Sequence, residues 1–154
     1  SFDVDELKRI DSELMPALGM DLKLVQLMAE TDWNETMVYD AKGKATPYDY
    51  DWMFKPGAMK TIAGYADGIG PWKPMIVTEP GTPGKPMFTA MVKEAHAAGL
   101  KVHPYTFRQD QGQIPAYAKD FTDLLNIFLY QADVDGVFSD FPDKAVAVIK
   151  AHGK

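Results

Sequence analysis

Arg108 and Asp140 are the residues of this chain whose types and positions best suit chemistry on a small anion. Arg108 ends the run Leu100-Lys101-Val102-His103-Pro104-Tyr105-Thr106-Phe107-Arg108. A guanidinium there can grip a phosphate with two parallel hydrogen bonds, although an arginine after a strand is more often a solvated loop charge. Asp140, in Ser139-Asp140-Phe141-Pro142, can orient an arginine or a hydroxyl or stand near a metal. Equally, it can cap the helix that Pro142 opens. His103 beside Pro104 is a possible acid or base, but a lone strand histidine is usually a hydrogen-bonded packing residue. His96 sits on a helical stretch of small residues, and His152 lies near the end of the chain. No two histidines have metal-ligand spacing, and with no cysteine there are no thiolates to add. Gly68, Gly70, Gly81 and Gly84 form neither dinucleotide nor P-loop spacing.

The elements that must position these residues alternate between helical and strand-like stretches, the pattern of parallel α/β architecture. Asp3 with Glu6 three residues on, followed by Val4, Leu7, Ile10 and Leu14, predicts a capped helix closed by Gly19. Leu22 to Met28 is a near-continuous apolar run expected as a strand covered on both faces. A polar and aromatic excursion, about residues 29–56, carries Trp33, Tyr48, Tyr50, Trp52 and Phe54, with a turn expected at Asp40-Ala41-Lys42-Gly43. Helices are expected from Pro56 through Ala66, from Phe88 through Ala98, from Phe121 to about Gln131, and from Pro142 on. Strands are expected at Leu100–Arg108 and Gly136–Phe138.

The chain has 154 residues, 46% hydrophobic and 25% charged, the balance of a folded soluble domain. Its net charge of −6 argues against nucleic-acid binding, since arginine occurs only at positions 9 and 108 and phosphate neutralisation needs clustered cations. No stretch approaches the ~20 apolar residues of a membrane span.

Read in order, LVQLMAETDWNET, YDYDWMFKPGAMK, YADGIGP, GLKVHPYTFR and DGVFSDFPDKAV, together with Ser1-Phe2-Asp3, resemble the periplasmic glycerophosphodiester phosphodiesterases of Gram-negative bacteria. The resemblance implies an α/β fold of the (β/α)8 TIM-barrel family, with residues 1–154 as the carboxy-terminal portion of one barrel domain, about its second half. It implies hydrolysis of glycerophosphodiesters to sn-glycerol 3-phosphate and an alcohol, a reaction of glycerol and lipid metabolism, in the periplasm. It also implies a divalent cation, calcium or magnesium. The family's His-Arg-Gly, Glu-x-Asp and His-Asp segments precede Ser-Phe-Asp, and none matches here: the histidines are followed by Ala97, Pro104 and Gly153. The chain is therefore expected to hold neither the catalytic residues nor the metal ligands and to be inactive alone, whether as a fragment or as a natural product. It would be completed by the missing amino-terminal half or another copy. What carries over is a pocket wall, with Phe2, Gln26, Tyr105, Arg108 and Asp140 as substrate-binding positions. The alternative is a non-catalytic α/β binding or structural module.

Overall fold

Asp3 is extended, and its carboxylate accepts the Glu6 amide proton at 2.9 Å, so the first helix opens with the expected cap. The computed structural model describes residues 1–78 and 85–153, which leaves Gly81 and Gly84 outside. Helices are Val4–Arg9 (α1), Met15–Leu18 (α2), Ala58–Ile62 (α3), Lys73–Ile76 (α4), Met91–Ala97 (α5), Phe121–Asn126 (α6) and Pro142–Ala151 (α7). Strands are Val25–Leu27 (β1), Met37–Tyr39 (β2), Ala45–Pro47 (β3), Gly68–Gly70 (β4), Val77–Thr78 (β5), Met87–Phe88 (β6) and Lys101–Val102 (β7). A π-helical turn, Ile10–Leu14, joins α1 to α2 before Gly19 closes the helix with a left-handed backbone. The wider π turn rotates later residues off the apolar stripe: Val4 and Leu7 are buried, whereas Leu18 is exposed.

The chain divides into two units, Ser1–Gly70 with Ala95–Lys101, and Pro71–Glu94 with Val102–Lys154. In the first unit β1 and β4 run parallel, with Val25 opposite Gly68 and Leu27 opposite Gly70. Beside them the Lys101 amide donates to the Asp67 carbonyl at 2.9 Å, which sets the sheet order β1–β4–β7. Asp67 clasps the start of this sheet. Its carboxylate accepts from the Leu24 amide at 2.9 Å and from Lys23 Nζ at 3.1 Å, and these contacts hold its pKa below the ordinary aspartate value. Met28, Tyr50, Met53, Ile62 and Ile69 form the fully buried centre of this unit. The turn at Asp40 to Gly43 joins β2 and β3 in an antiparallel hairpin, its Asp40 carboxylate accepting from the amides of Lys42 and Lys44. Of the aromatic group nearby, Tyr50 packs inward and Trp52 Nε1 donates to Tyr48 at 3.0 Å, while Phe54 stays exposed.

In the second unit Asp120 caps α6 through the Asp123 amide, and Phe121, Leu124, Leu125, Phe128 and Leu129 are all buried, as the periodicity predicts. Several expectations change. Phe88 lies in β6, paired with Val77, instead of on the α5 stripe, and that helix starts at Met91. The predicted strand at Leu100–Arg108 is regular only at Lys101–Val102, because Pro104 has no amide proton to give a ladder. Gly136–Phe138 is not a regular strand, although the Phe138 backbone bonds to Pro104 and Phe107, and Gly136 lies so close to the His103 ring that an added Cβ would sit 2.7 Å from it. Among the described residues the parallel sheet has three strands and closes no barrel, since closure needs a full ring of staggered strands. No helix among them is long and apolar enough to cross a membrane.

Gly68 sits where a Cβ would come within 2.8 Å of the Lys101 carbonyl oxygen, a backbone atom that cannot swing aside. Gly68→Ala is therefore expected to destabilise the first unit by about 1–3 kcal/mol, read as a lower midpoint in urea unfolding. An unchanged midpoint would refute the close approach.

Candidate functional site

Three segments of the second unit lie side by side and parallel. The Tyr105 amide donates to the Pro71 carbonyl at 3.1 Å and the Lys73 amide to the Tyr105 carbonyl at 3.2 Å. On the other edge the Phe138 amide donates to Pro104, the Phe107 amide to Phe138 and the Asp140 amide to Phe107, at 3.0, 2.8 and 3.1 Å. Single parallel bridges, Trp72 with Tyr105 and Phe107 with Ser139, mark the same alignment. The Phe107 side chain anchors the central segment, buried and edge-on to Phe128 with ring centres 4.9 Å apart. Ser139 Oγ donates to the Phe107 carbonyl and accepts from the Phe141 amide, fixing the turn into α7.

This ladder brings Lys73, Arg108 and Asp140 to the same ends of neighbouring segments. Asp140 does not cap α7, whose N-cap is Phe141 without a side-chain bond. Its carboxylate lies 3.3 Å from Arg108 Nε, and Asp110 approaches the same nitrogen at 3.0 Å. Both acids meet Nε, so the terminal nitrogens of the guanidinium face no acceptor among the described residues. Arg108 and Asp140 are about half exposed. Lys73 is not: it is 8% exposed, and its ammonium donates to the Thr106 carbonyl and lies 5.3 Å from the Phe107 ring centre. Burial, then the Arg108 charge, push its pKa below the ordinary lysine value, while Asp140 pulls it back. Sequence reasoning overlooked Lys73 and Asp110. The signal for Lys73 was its place just past the Gly68-Ile69-Gly70 strand, where βα folds collect ligand contacts. His103 is half-buried against the Phe138 ring, 6.5 Å between centres, which fits a packing role.

Phe2 and Gln26 belong to the first unit. Gln26 is fully buried, and its amide nitrogen donates to the carbonyls of Phe2 at 3.1 Å and Leu27 at 2.9 Å. Its oxygen accepts from the Tyr65 hydroxyl at 3.0 Å. The Phe2 carbonyl also receives the Tyr50 hydroxyl at 3.1 Å. Burial raises the Tyr65 phenol far above its usual pKa, so it remains a donor at any physiological pH.

The donor set for a divalent cation is lacking among the described residues. No three His, Asp or Glu side chains converge among the described residues, and Asp110 and Asp140 are both turned to one arginine nitrogen.

The model of the glycerophosphoryl diester phosphodiesterase family matches residues 1–144. The chain belongs to this family. A glycerophosphodiester phosphodiesterase of Haemophilus influenzae is 47% identical over 151 residues, covering 97% of this chain and 41% of the relative. One of Treponema pallidum is 40% identical over 147 residues, 95% of this chain and 41% of that protein. The Arabidopsis thaliana glycerophosphodiester phosphodiesterase GDPD6 is 38% identical over 88 residues, 52% of this chain and 22% of the relative. The chain thus spans about two-fifths of the length of the two bacterial relatives. The family has the TIM-barrel fold, and the alternating helices and parallel strands here are the mixed α/β structure that accords with it.

Tyr65→Phe would leave the buried Gln26 oxygen without its hydroxyl donor. The expected cost is about 1–3 kcal/mol of stability, measured by denaturant unfolding. A change near zero would mean that water or another donor reaches Gln26.

Proposed function

We propose that this chain is the carboxy-terminal half of a periplasmic (β/α)8 enzyme that hydrolyses glycerophosphodiesters to sn-glycerol 3-phosphate and an alcohol. The observation that carries the reading is the 47% identity to a glycerophosphodiester phosphodiesterase across 97% of this chain. The complete protein is proposed to use a divalent cation, calcium or magnesium, whose ligands are assigned to the other half of the barrel and which would supply charge neutralisation at the phosphoryl group. That half, or another copy, is the partner this chain needs.

The part assigned to this chain is positioning. The terminal nitrogens of Arg108 offer a planar fork to a phosphate oxygen, and Asp140, by taking Nε, fixes the plane of that fork. Tyr105, between the bridge to Trp72 and the Phe107 anchor, is proposed to line the wall. Phe2 and Gln26 are proposed as wall positions of the first unit. Gln26 acts there through the carbonyls it holds, because none of its surface is open.

Two measurements test this reading. The pure chain given glycerophosphocholine with calcium or magnesium is expected to release no choline; metal-dependent release would overturn the division of labour. In the complete enzyme, Arg108→Ala and Asp140→Asn are each expected to lower kcat/KM more than tenfold, about 1.4 kcal/mol of transition-state stabilisation. His103→Gln should stay near wild type. The opposite ranking, among variants whose thermal melts show them folded, would remove Arg108 from the site.

A further inference from the structure

We propose that Lys73 is an anion-binding residue of the cleft it lines, and that a small phosphate-bearing molecule supplies the counter-ion missing from its surroundings. The cleft lies within the second unit, has a volume of about 340 Å³, and is lined by Trp72, Lys73, Val77, Ile114 and Tyr117 among others. Lys73 is more than nine-tenths buried. A buried ammonium is costly unless it is paired, and its three protons want three acceptors. Among the described residues the Lys73 ammonium makes one hydrogen bond, to the Thr106 carbonyl, and no ion pair; the Asp140 carboxylate that could neutralise it is taken by Arg108. The Phe107 ring face adds attraction but no acceptor. Burial and the Arg108 charge both weaken its hold on its proton, only partly offset by Asp140, which accords with a cation short of a counter-ion.

An anion resolves each of these costs. Its oxygens accept the remaining ammonium protons, its charge offsets that of Lys73, and the low-polarity walls of Trp72, Val77 and Ile114 strengthen the pairing. Phosphate suits the volume and the charge. The identity of the anion rests on the functional reading above, which supplies two candidates: the diester, a monoanion, and the monoester product, which approaches a dianion.

The test is direct binding, without divalent metal, to the complete protein that contains this chain and the half it is proposed to need, followed by calorimetry and by the 15N signal of the Lys73 ammonium. Inorganic phosphate, sn-glycerol 3-phosphate and glycerophosphocholine serve as probes. At least one should bind and shift the Lys73 signal, and Lys73→Met should weaken it by about tenfold or more, while Lys73→Arg keeps most of the affinity. Tighter binding of sn-glycerol 3-phosphate than of glycerophosphocholine assigns the site to product, and the reverse order assigns it to substrate. Replacing a buried unpaired charge by methionine should not unfold the chain, and thermal melts check this. No binding of any probe to the wild type, or equal binding to Lys73→Met, would overturn the proposal. Because no turnover is measured, these outcomes are independent of whether the complete protein is a phosphodiesterase.

Discussion

The segment from Pro104 to Phe107 is hydrogen-bonded along both edges, and the chemistry of the second unit depends on that constraint. On one side it meets Pro71 and Lys73, and on the other Phe138 and Asp140. Parallel alignment means that residues just past each paired stretch emerge at the same end. Lys73, Arg108 and Asp140 come from three distant parts of the sequence, yet they are held by backbone bonds that no side-chain change among them would disturb. Phe107, buried against Phe128, prevents the central segment from sliding, since a slip of one residue would turn that ring outward.

The charges at this end are arranged unequally. Two carboxylates crowd one nitrogen of the exposed Arg108, while the buried Lys73 receives a carbonyl and a ring face. An arrangement selected for stability alone would reverse this, because the desolvated charge is the one that needs a counter-ion. The lowered proton affinity of Lys73 follows from that inversion.

How much of this was legible in the sequence differs from element to element. The α6 stripe and the Asp3 and Asp120 caps follow from local spacing, and local spacing is what side-chain periodicity reports. The turn from Asp40 to Gly43 was equally clear, since one carboxylate bonding two amides needs no distant partner. The strands past Val102 were overestimated in regularity: their amides do find carbonyls in neighbouring segments, but Pro104 has no amide proton of its own to offer, and the pairing is left as single bridges. Arg108 and Asp140 were visible as candidates. Their pairing was not, because it depends on the alignment of segments some thirty residues apart. Lys73 escaped because a lysine between Trp72 and Pro74 looks like surface until burial is known. Gln26 looked like a strand-end contact, and only the Phe2, Leu27 and Tyr65 partners reveal its amide as wholly engaged.

The Arg108–Asp140 pair is too exposed to matter much for folding. Pairs of this kind contribute about 0–1 kcal/mol, and Asp110 shares the same nitrogen, so losing one acid leaves another in place. What Asp140 adds beyond Asp110 is direction. Asp110 lies two residues away in the same loop and moves with it, whereas Asp140 is tied through its own amide to the Phe107 carbonyl. An arginine anchored only to its own loop would follow that loop's motion. Anchored to the neighbouring segment as well, its fork is referred to the sheet, and an ion pair of little value to stability acquires a reason to be built there.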